Sequence, residues 1–219
     1  SIRYMESCGG LIKNSQGQAS HVIVVSRDIT ERKQAEEEIR NLAFHDALTK
    51  LPNRRLLNDR LAQIMAASKR SGCYGALMFL DMDNFKPLND RHGHDVGDLL
   101  LVEAARRINS CVRGADTVAR FGGDEFVVIL GGLDVGRVKS IAQAGIVAEK
   151  IRAILAEPYV LATQQESGAE STVEYRCTSS IGVALFLDHE SRPEDILKRA
   201  DMAMYQAKNG GRNLICFYE

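Results

Sequence analysis

An α/β (α+β) domain with a central, mostly antiparallel sheet flanked by helices is the fold that this 219-residue sequence predicts, and three observations predict it. From about residue 45, short apolar runs alternate with amphipathic stretches of helical period. Their order is β-α-β-β-α-β with one further helix, which resembles a ferredoxin-like core. The balance of 45% hydrophobic and 26% charged residues is that of a globular chain able to bury a sizeable core.

The first 28 residues read as a β-hairpin. Ile2-Arg3-Tyr4-Met5 and His21-Val22-Ile23-Val24-Val25 flank a polar turn from Asn14 to Gln18. Two strands alone are marginal in water, so the hairpin is expected to belong to a larger sheet. A helix over 29–44 follows, with Asp28 or Thr30 as cap and Glu31 suited to its N-terminus. Its narrow stripe of Ala35, Ile39 and Leu42 fits a short coiled coil or packing on the next domain.

Asn53 then caps a helix near 54–70, with Leu57, Leu61, Ile64 and Met65 on one face. Tyr74 to Leu80 is a buried strand ending at Asp81, and 84–93 is a polar, helix-like turn closed by Gly93. Asp95 starts a helix to about 112, with Val96, Leu99, Leu100, Ala104 and Ile108 inward. Strands at 116–121 and 125–130 flank Gly122-Gly123, a pair that suits a type I′ turn. A helix over 137–156, a polar loop over 163–171, a strand from Tyr175 to Phe186, a helix over 193–208 and a strand over 213–218 complete the order.

Composition also excludes. With 28 basic against 29 acidic residues there is no general electrostatic pull toward nucleic acid or a membrane surface, so any anion must be held locally. Five widely spaced cysteines without a CxxC pair speak against a disulfide framework or a zinc site, and fit a reducing compartment. No apolar run approaches the ~18 residues that span a bilayer. The start is not a signal peptide, and the chain opens in the middle of an element, as a piece of a longer parent would, with room in that parent for a membrane anchor.

Three clusters carry chemistry. Asp81 lies at a strand end, and Asp124-Glu125 follow the glycine pair; if the two strands are neighbours, all three carboxylates converge. Hard oxygen ligands suit Mg²⁺, which takes one or two carboxylates plus substrate phosphates, and two such ions can clamp both oxygens of a phosphoryl transfer. The bland alternative is a solvated strand end and an ordinary turn. Asn89, His94 and Asp98 form the second cluster; an Asn and an Asp together match a donor and acceptor edge such as guanine's. Solvated residues at a capped helix start are the competing reading. The third is Lys208-Asn209-Gly210-Gly211-Arg212-Asn213, a glycine C-cap by default, which can hold phosphates through Lys208 and Arg212.

The run Arg120-Phe121-Gly122-Gly123-Asp124-Glu125-Phe126 resembles the signature of the GGDEF family, the diguanylate cyclases. Asp46-Ala47-Leu48-Thr49-Lys50-Leu51-Pro52-Asn53-Arg54, Asp81 to Asp90, Ser180 to Ala184, and Ala200 to Tyr205 through Arg212-Asn213 are similar to its other motifs, in order, across 45–219. The resemblance implies a nucleotidyl-cyclase-type sheet and the condensation of two GTP into cyclic di-GMP by a dimer of half-sites, in the cytoplasm of a bacterium. It implies Mg²⁺, with Mn²⁺ as alternative, on Asp81, the Met82 carbonyl, Asp124 and Glu125, with Asp124 and Glu125 as the catalytic pair. Asn89 and Asp98 would read guanine, His94 would sit beside the nucleotide, and Phe85, Lys86, Lys208 and Arg212 would line the phosphates. Arg113-Gly114-Ala115-Asp116 resembles the family's RxxD product-inhibition site, against a bland reading as a helix end and turn. Residues 1–28 look like the last strands of a PAS-type sensor, and 29–44 like its connector. The intact signature favours an active cyclase over a non-catalytic module that binds GTP or cyclic di-GMP, and the sequence is neutral on a following phosphodiesterase domain.

Overall fold

A computed structural model describes residues 3–13, 16, 19–164, 170–187 and 192–219. The chain divides into two compact units, Ser1–Ala43 and Phe44–Glu219. In the first, β1 (Met5–Lys13) pairs antiparallel with β2 (Ala19–Asp28), so the first strand starts at Met5 and continues well past the run that announced it. Of the expected turn, Asn14, Ser15, Gly17 and Gln18 lie outside the described residues. Helix α1 (Thr30–Phe44) follows, its first turn fixed by the Asp28 carboxylate, which accepts the Thr30 N–H at 2.9 Å.

The second unit is built on a five-stranded sheet. Its elements are α2 (Arg54–Ser71), β3 (Gly75–Asp83), α3 (Phe85–His92), α4 (His94–Cys111), β4 (Thr117–Gly122), β5 (Glu125–Leu130), α5 (Arg137–Ala156), β6 (Tyr159–Gln164), β7 (Glu170–Tyr175), β8 (Thr178–Phe186), α6 (Pro193–Asn209) and β9 (Ile215–Phe217). The sheet order is β4-β5-β3-β8-β9, antiparallel except for the β8–β9 pair. Asn53 caps α2 by accepting the N–H groups of Arg55 and Leu56.

Strand β3 is buried along its whole length because both faces of the sheet are covered. Successive side chains alternate between two cores. Leu77 and Phe79 join Leu57 and Leu61 of α2 and Ile196, Ala200 and Met204 of α6. Met78, Leu80 and Met82 join Leu100 and Ile108 of α4 and Ala148 and Ile151 of α5. By the same alternation Asp81 falls on the α6 side.

Several expectations need correction. β3 runs two residues beyond Asp81, because partners on β8 and α6 accommodate carboxylates that would otherwise be costly to bury. The expected helix-like turn is a full helix over Phe85–His92, entered from Asn84 at φ 59°. In α4, Leu99 is exposed, and Leu101 and Ala105 take the inward places. At the β4–β5 turn Gly122 pairs with Glu125, leaving Gly123-Asp124 as the tip; only Gly123 has positive φ, so the turn is not type I′, which needs two. The expected polar loop at 163–171 is flanked by strands, since β6 and β7 form their own hairpin from Tyr159↔Tyr175 to Gln164↔Glu170; residues 165–169 lie outside the described residues. The expected strand 175–186 is correspondingly two, with β8 starting at Thr178.

Candidate active site

The register of β3 against β5 sets Asp81 directly opposite Glu125. The Met82 N–H donates to the Asp124 carbonyl at 3.2 Å, which ties the hairpin tip to the central strand. From the far end of α6, Lys208 Nζ reaches Asp81 Oδ2 at 2.7 Å. Elements from three parts of the chain thus meet at one end of the sheet.

The electrostatics follow from burial and like charge. Burial, then the neighbouring charges of Asp124 and Asp83, push the Asp81 carboxyl above its ordinary value, while Lys208 opposes the shift. Glu125 is pushed up as well, by burial first and then by Asp81, Asp124 and Asp201. Such mutual destabilisation of carboxylates marks a place suited to a cation.

Among the described residues, no three His, Cys, Asp or Glu side chains form a ready-made metal cage. The three expected carboxylates nonetheless share one end of the sheet, where the charge of Asp124 acts on both Asp81 and Glu125. Asp81 and Glu125 are cross-strand partners, whereas Asp124 stands in the turn. Two hard carboxylates with a backbone carbonyl nearby still fit Mg²⁺, which completes its shell with water and substrate phosphate.

Helices α3 and α4 approach closely at Gly97. A side chain there would meet Asn89 Oδ1 at 1.9 Å and the Phe85 ring at 3.1 Å, so a larger residue would push the Asn89 amide from its place. Asn89 Oδ1 is buried and has no hydrogen-bond partner among the described residues, the condition expected of a group awaiting a ligand. Lys86, His94 and Asp98 are exposed on the same two helices, and Arg212 is exposed after α6.

Arg113 and Asp116 close a turn after α4. The Arg113 N–H donates to Asp116 Oδ2 at 2.9 Å and the Asp116 N–H to the Arg113 carbonyl at 3.0 Å. The exposed Arg113 and half-buried Asp116 border a cavity of about 100 Å³, lined also by Cys111, Leu133, Gln143 and Val147.

Two partnerships escaped sequence reasoning. Arg120 donates from Nε and Nη2 to the Gly123 carbonyl at 2.9 and 2.7 Å and from Nη1 to both oxygens of Asp46 at 3.1 and 3.2 Å. Thr49 donates to Asp46 twice more. Burial opposes the charge on Asp46, but these donors outweigh it and hold its carboxyl below the usual range. The opening segment at 46–54 is thereby stapled to the hairpin tip, and its co-occurrence with the signature was the available signal. Asp83 is the other: it accepts from Thr178 Oγ1 at 2.7 Å, Ser180 Oγ at 2.8 Å and the Asn213 N–H at 3.0 Å.

Comparison with known proteins places this fold in a family. Residues 43–214 match the family described as "Diguanylate cyclase, GGDEF domain". The bifunctional diguanylate cyclase/cyclic di-GMP phosphodiesterase MucR of Pseudomonas aeruginosa is 42% identical over 87% of this chain, which spans 26% of that protein's length. A structure of TpbB (YfiN) from P. aeruginosa comprising only the GGDEF domain superposes with a TM-score of 0.68 at 39% identity, covering 80% of this chain and 94% of the other. The coiled coil and GGDEF domain of DgcB from Caulobacter crescentus, in complex with c-di-GMP, gives 0.72 at 28% identity over 86% and 93% of the two chains. Among the described residues, no helix is long and apolar enough to cross a membrane.

Proposed function

The chain belongs to the GGDEF domain family of diguanylate cyclases, and from that premise we propose that it condenses two GTP into cyclic di-GMP and two pyrophosphates. The observation that carries the reading is the cross-strand pair Asp81–Glu125 at the Gly123-Asp124 tip, with Lys208 on Asp81. In each of two equivalent steps the 3′-oxygen of one nucleotide attacks the α-phosphorus of the other. The α–β anhydride bond breaks, pyrophosphate leaves, and the hydroxyl proton passes to a base, for which Asp124 is the candidate. Such transfers depend mainly on positioning and charge neutralisation.

Asp81, the Met82 carbonyl, Asp124 and Glu125 would hold Mg²⁺ or Mn²⁺, which supplies positive charge to the reacting phosphate oxygens. Asn89, with its unpartnered amide oxygen, and Asp98 would read guanine, with His94 beside the nucleotide. Phe85, Lys86, Lys208 and Arg212 would border the phosphates. One domain offers half of a site for two nucleotides, so the working species is a symmetric homodimer. Residues 1–28 and 29–44 are assigned as the end of a PAS-type sensor and its linker helix, and 45–219 as the cyclase domain.

Incubation with GTP and Mg²⁺ at two protein concentrations tests the reading. Product that rises more than proportionally with protein and vanishes in Asp124→Ala is expected. GTP binding with no product at high protein would overturn it in favour of a regulatory binding module. Arg113 and Asp116 are assigned to a product-inhibition site. Added cyclic di-GMP should arrest the wild type, and Arg113→Ala should relieve that arrest at least about tenfold in inhibitor concentration, as loss of a charged anchor implies. Equal inhibition of both would remove Arg113 from the site.

A further inference from the structure

The turn after α6 is held in a conformation that its own residues disfavour. Arg212 and Asn213 have φ of 62° and 50°, the left-handed region, where asparagine is tolerated and arginine is not enriched. Two such residues in succession persist only when the surroundings over-determine them, and strain of this kind gathers at functional sites.

The surroundings here are specific. Buried Asp83, fixed in the sheet by the hydroxyls of Thr178 and Ser180, accepts the Asn213 N–H at 3.0 Å. Arg152 reaches over from α5 and donates from Nη1 to Asn213 Oδ1 at 2.8 Å. The Arg212 N–H donates to the Ala207 carbonyl at 3.1 Å. The turn is thus gripped by β3, α5 and α6 together, and the fixed φ of Arg212 sets the direction in which its side chain leaves the backbone.

We propose that Asp83 and Arg152 are positioning residues, which hold the 211–213 turn so that Arg212 is presented to the nucleotide phosphates in a preset direction. Neither touches the nucleotide. Resting on the assignment of Arg212 to the phosphates, the inference adds what orients it. Preorganisation of this sort lowers the ordering required on binding.

A double-mutant cycle on the full chain separates this role from a structural one. Arg152 is a quarter exposed on α5 and also pairs with Glu149 at 2.6 Å, a pair on a half-exposed partner that contributes little, so Arg152→Gln should lower the melting temperature only slightly. It should raise the GTP KM about fivefold to tenfold, the scale of one lost hydrogen bond, with kcat little changed, and Arg152→Lys should restore most of the loss. In an Arg212→Ala background, Arg152→Gln should add nothing further. Additive effects, or a wild-type KM in Arg152→Gln, would overturn the inference while leaving the cyclase reading intact. A wild-type KM in Arg212→Ala would overturn both the phosphate assignment and the inference.

Discussion

Replacing Glu125 with glutamine is expected to abolish cyclic di-GMP synthesis while raising, not lowering, thermal stability. The activity loss should be on the order of 10²–10⁴-fold, since removing one preorganised charge from a phosphoryl-transfer site costs several kcal/mol. The stability gain follows from the charges already there. Burial, then Asp81, Asp124 and Asp201, push the Glu125 carboxyl above its ordinary value. A carboxyl raised in the folded state favours folding below the ordinary carboxylate range and loses that contribution as pH rises through the folded value. At pH 7 Glu125 therefore burdens the fold with a charge that an amide removes. Solvent screening at this half-buried site keeps the gain below about 1 kcal/mol, or up to roughly 2–4 °C for a domain of this size. Melting curves with and without the substitution should converge as pH falls toward 4. A lower melting temperature for Glu125→Gln at pH 7 would show that the carboxylate has a stabilising partner unaccounted for.

Gly182→Ala is expected to act in the opposite way, through the fold. An added Cβ would lie 2.0 Å from the Ala200 carbonyl oxygen, 2.1 Å from the Met204 nitrogen and 2.8 Å from the Ala203 carbonyl carbon. All three are backbone atoms of α6, so no rotamer can yield, and the helix must lift from β8. Overpacking of this severity costs about 3 kcal/mol or more, a fall of roughly 6–12 °C in melting temperature. Because α6 carries Lys208 onto Asp81, GTP binding should weaken even in the fraction that remains folded. Denaturant unfolding beside GTP titration checks both, and a change under about 1 kcal/mol would mean that the two elements are not in rigid contact.

Much of this was legible along the chain because it depends on local rules. A continuous apolar run marks β3, helical spacing marks α2, and Asn53 announces the start of α2. The acidic pair after the glycines, the polar run at 89–98 and the cations at 208–212 were visible as clusters. What escaped depends on partners remote in sequence. Asp81 read as a strand end because nothing nearby showed Lys208 arriving from α6. Asp83 carries no local sign of its role, since Thr178, Ser180 and Asn213, which close on it, lie 95, 97 and 130 residues further on. The β6–β7 hairpin was hidden by a polar composition that pointed to a loop, although Tyr159, Leu161 and Val173 pack against the core. Leu99 satisfied the helical period yet faces out, since the inward stripe of α4 turns toward Leu101 and Ala105.

The central place of β3 has a consequence for biosynthesis. It is the first strand of its sheet to leave the ribosome, yet its hydrogen-bonding partners on both edges come later. Ser180 lies 97 residues beyond Asp83, and Asn213 lies 130 residues beyond it. At about 5–20 residues per second of translation, the apolar strand waits roughly 5–20 s for its neighbour β8. During that interval the nascent polypeptide exposes an unpaired strand, apolar from Ala76 to Leu80, of the kind that chaperones bind and aggregates recruit. The end of the sheet that carries Asp81 and Glu125 therefore matures late, when β8 and the turn after α6 have emerged, and an unfinished chain is prone to self-association.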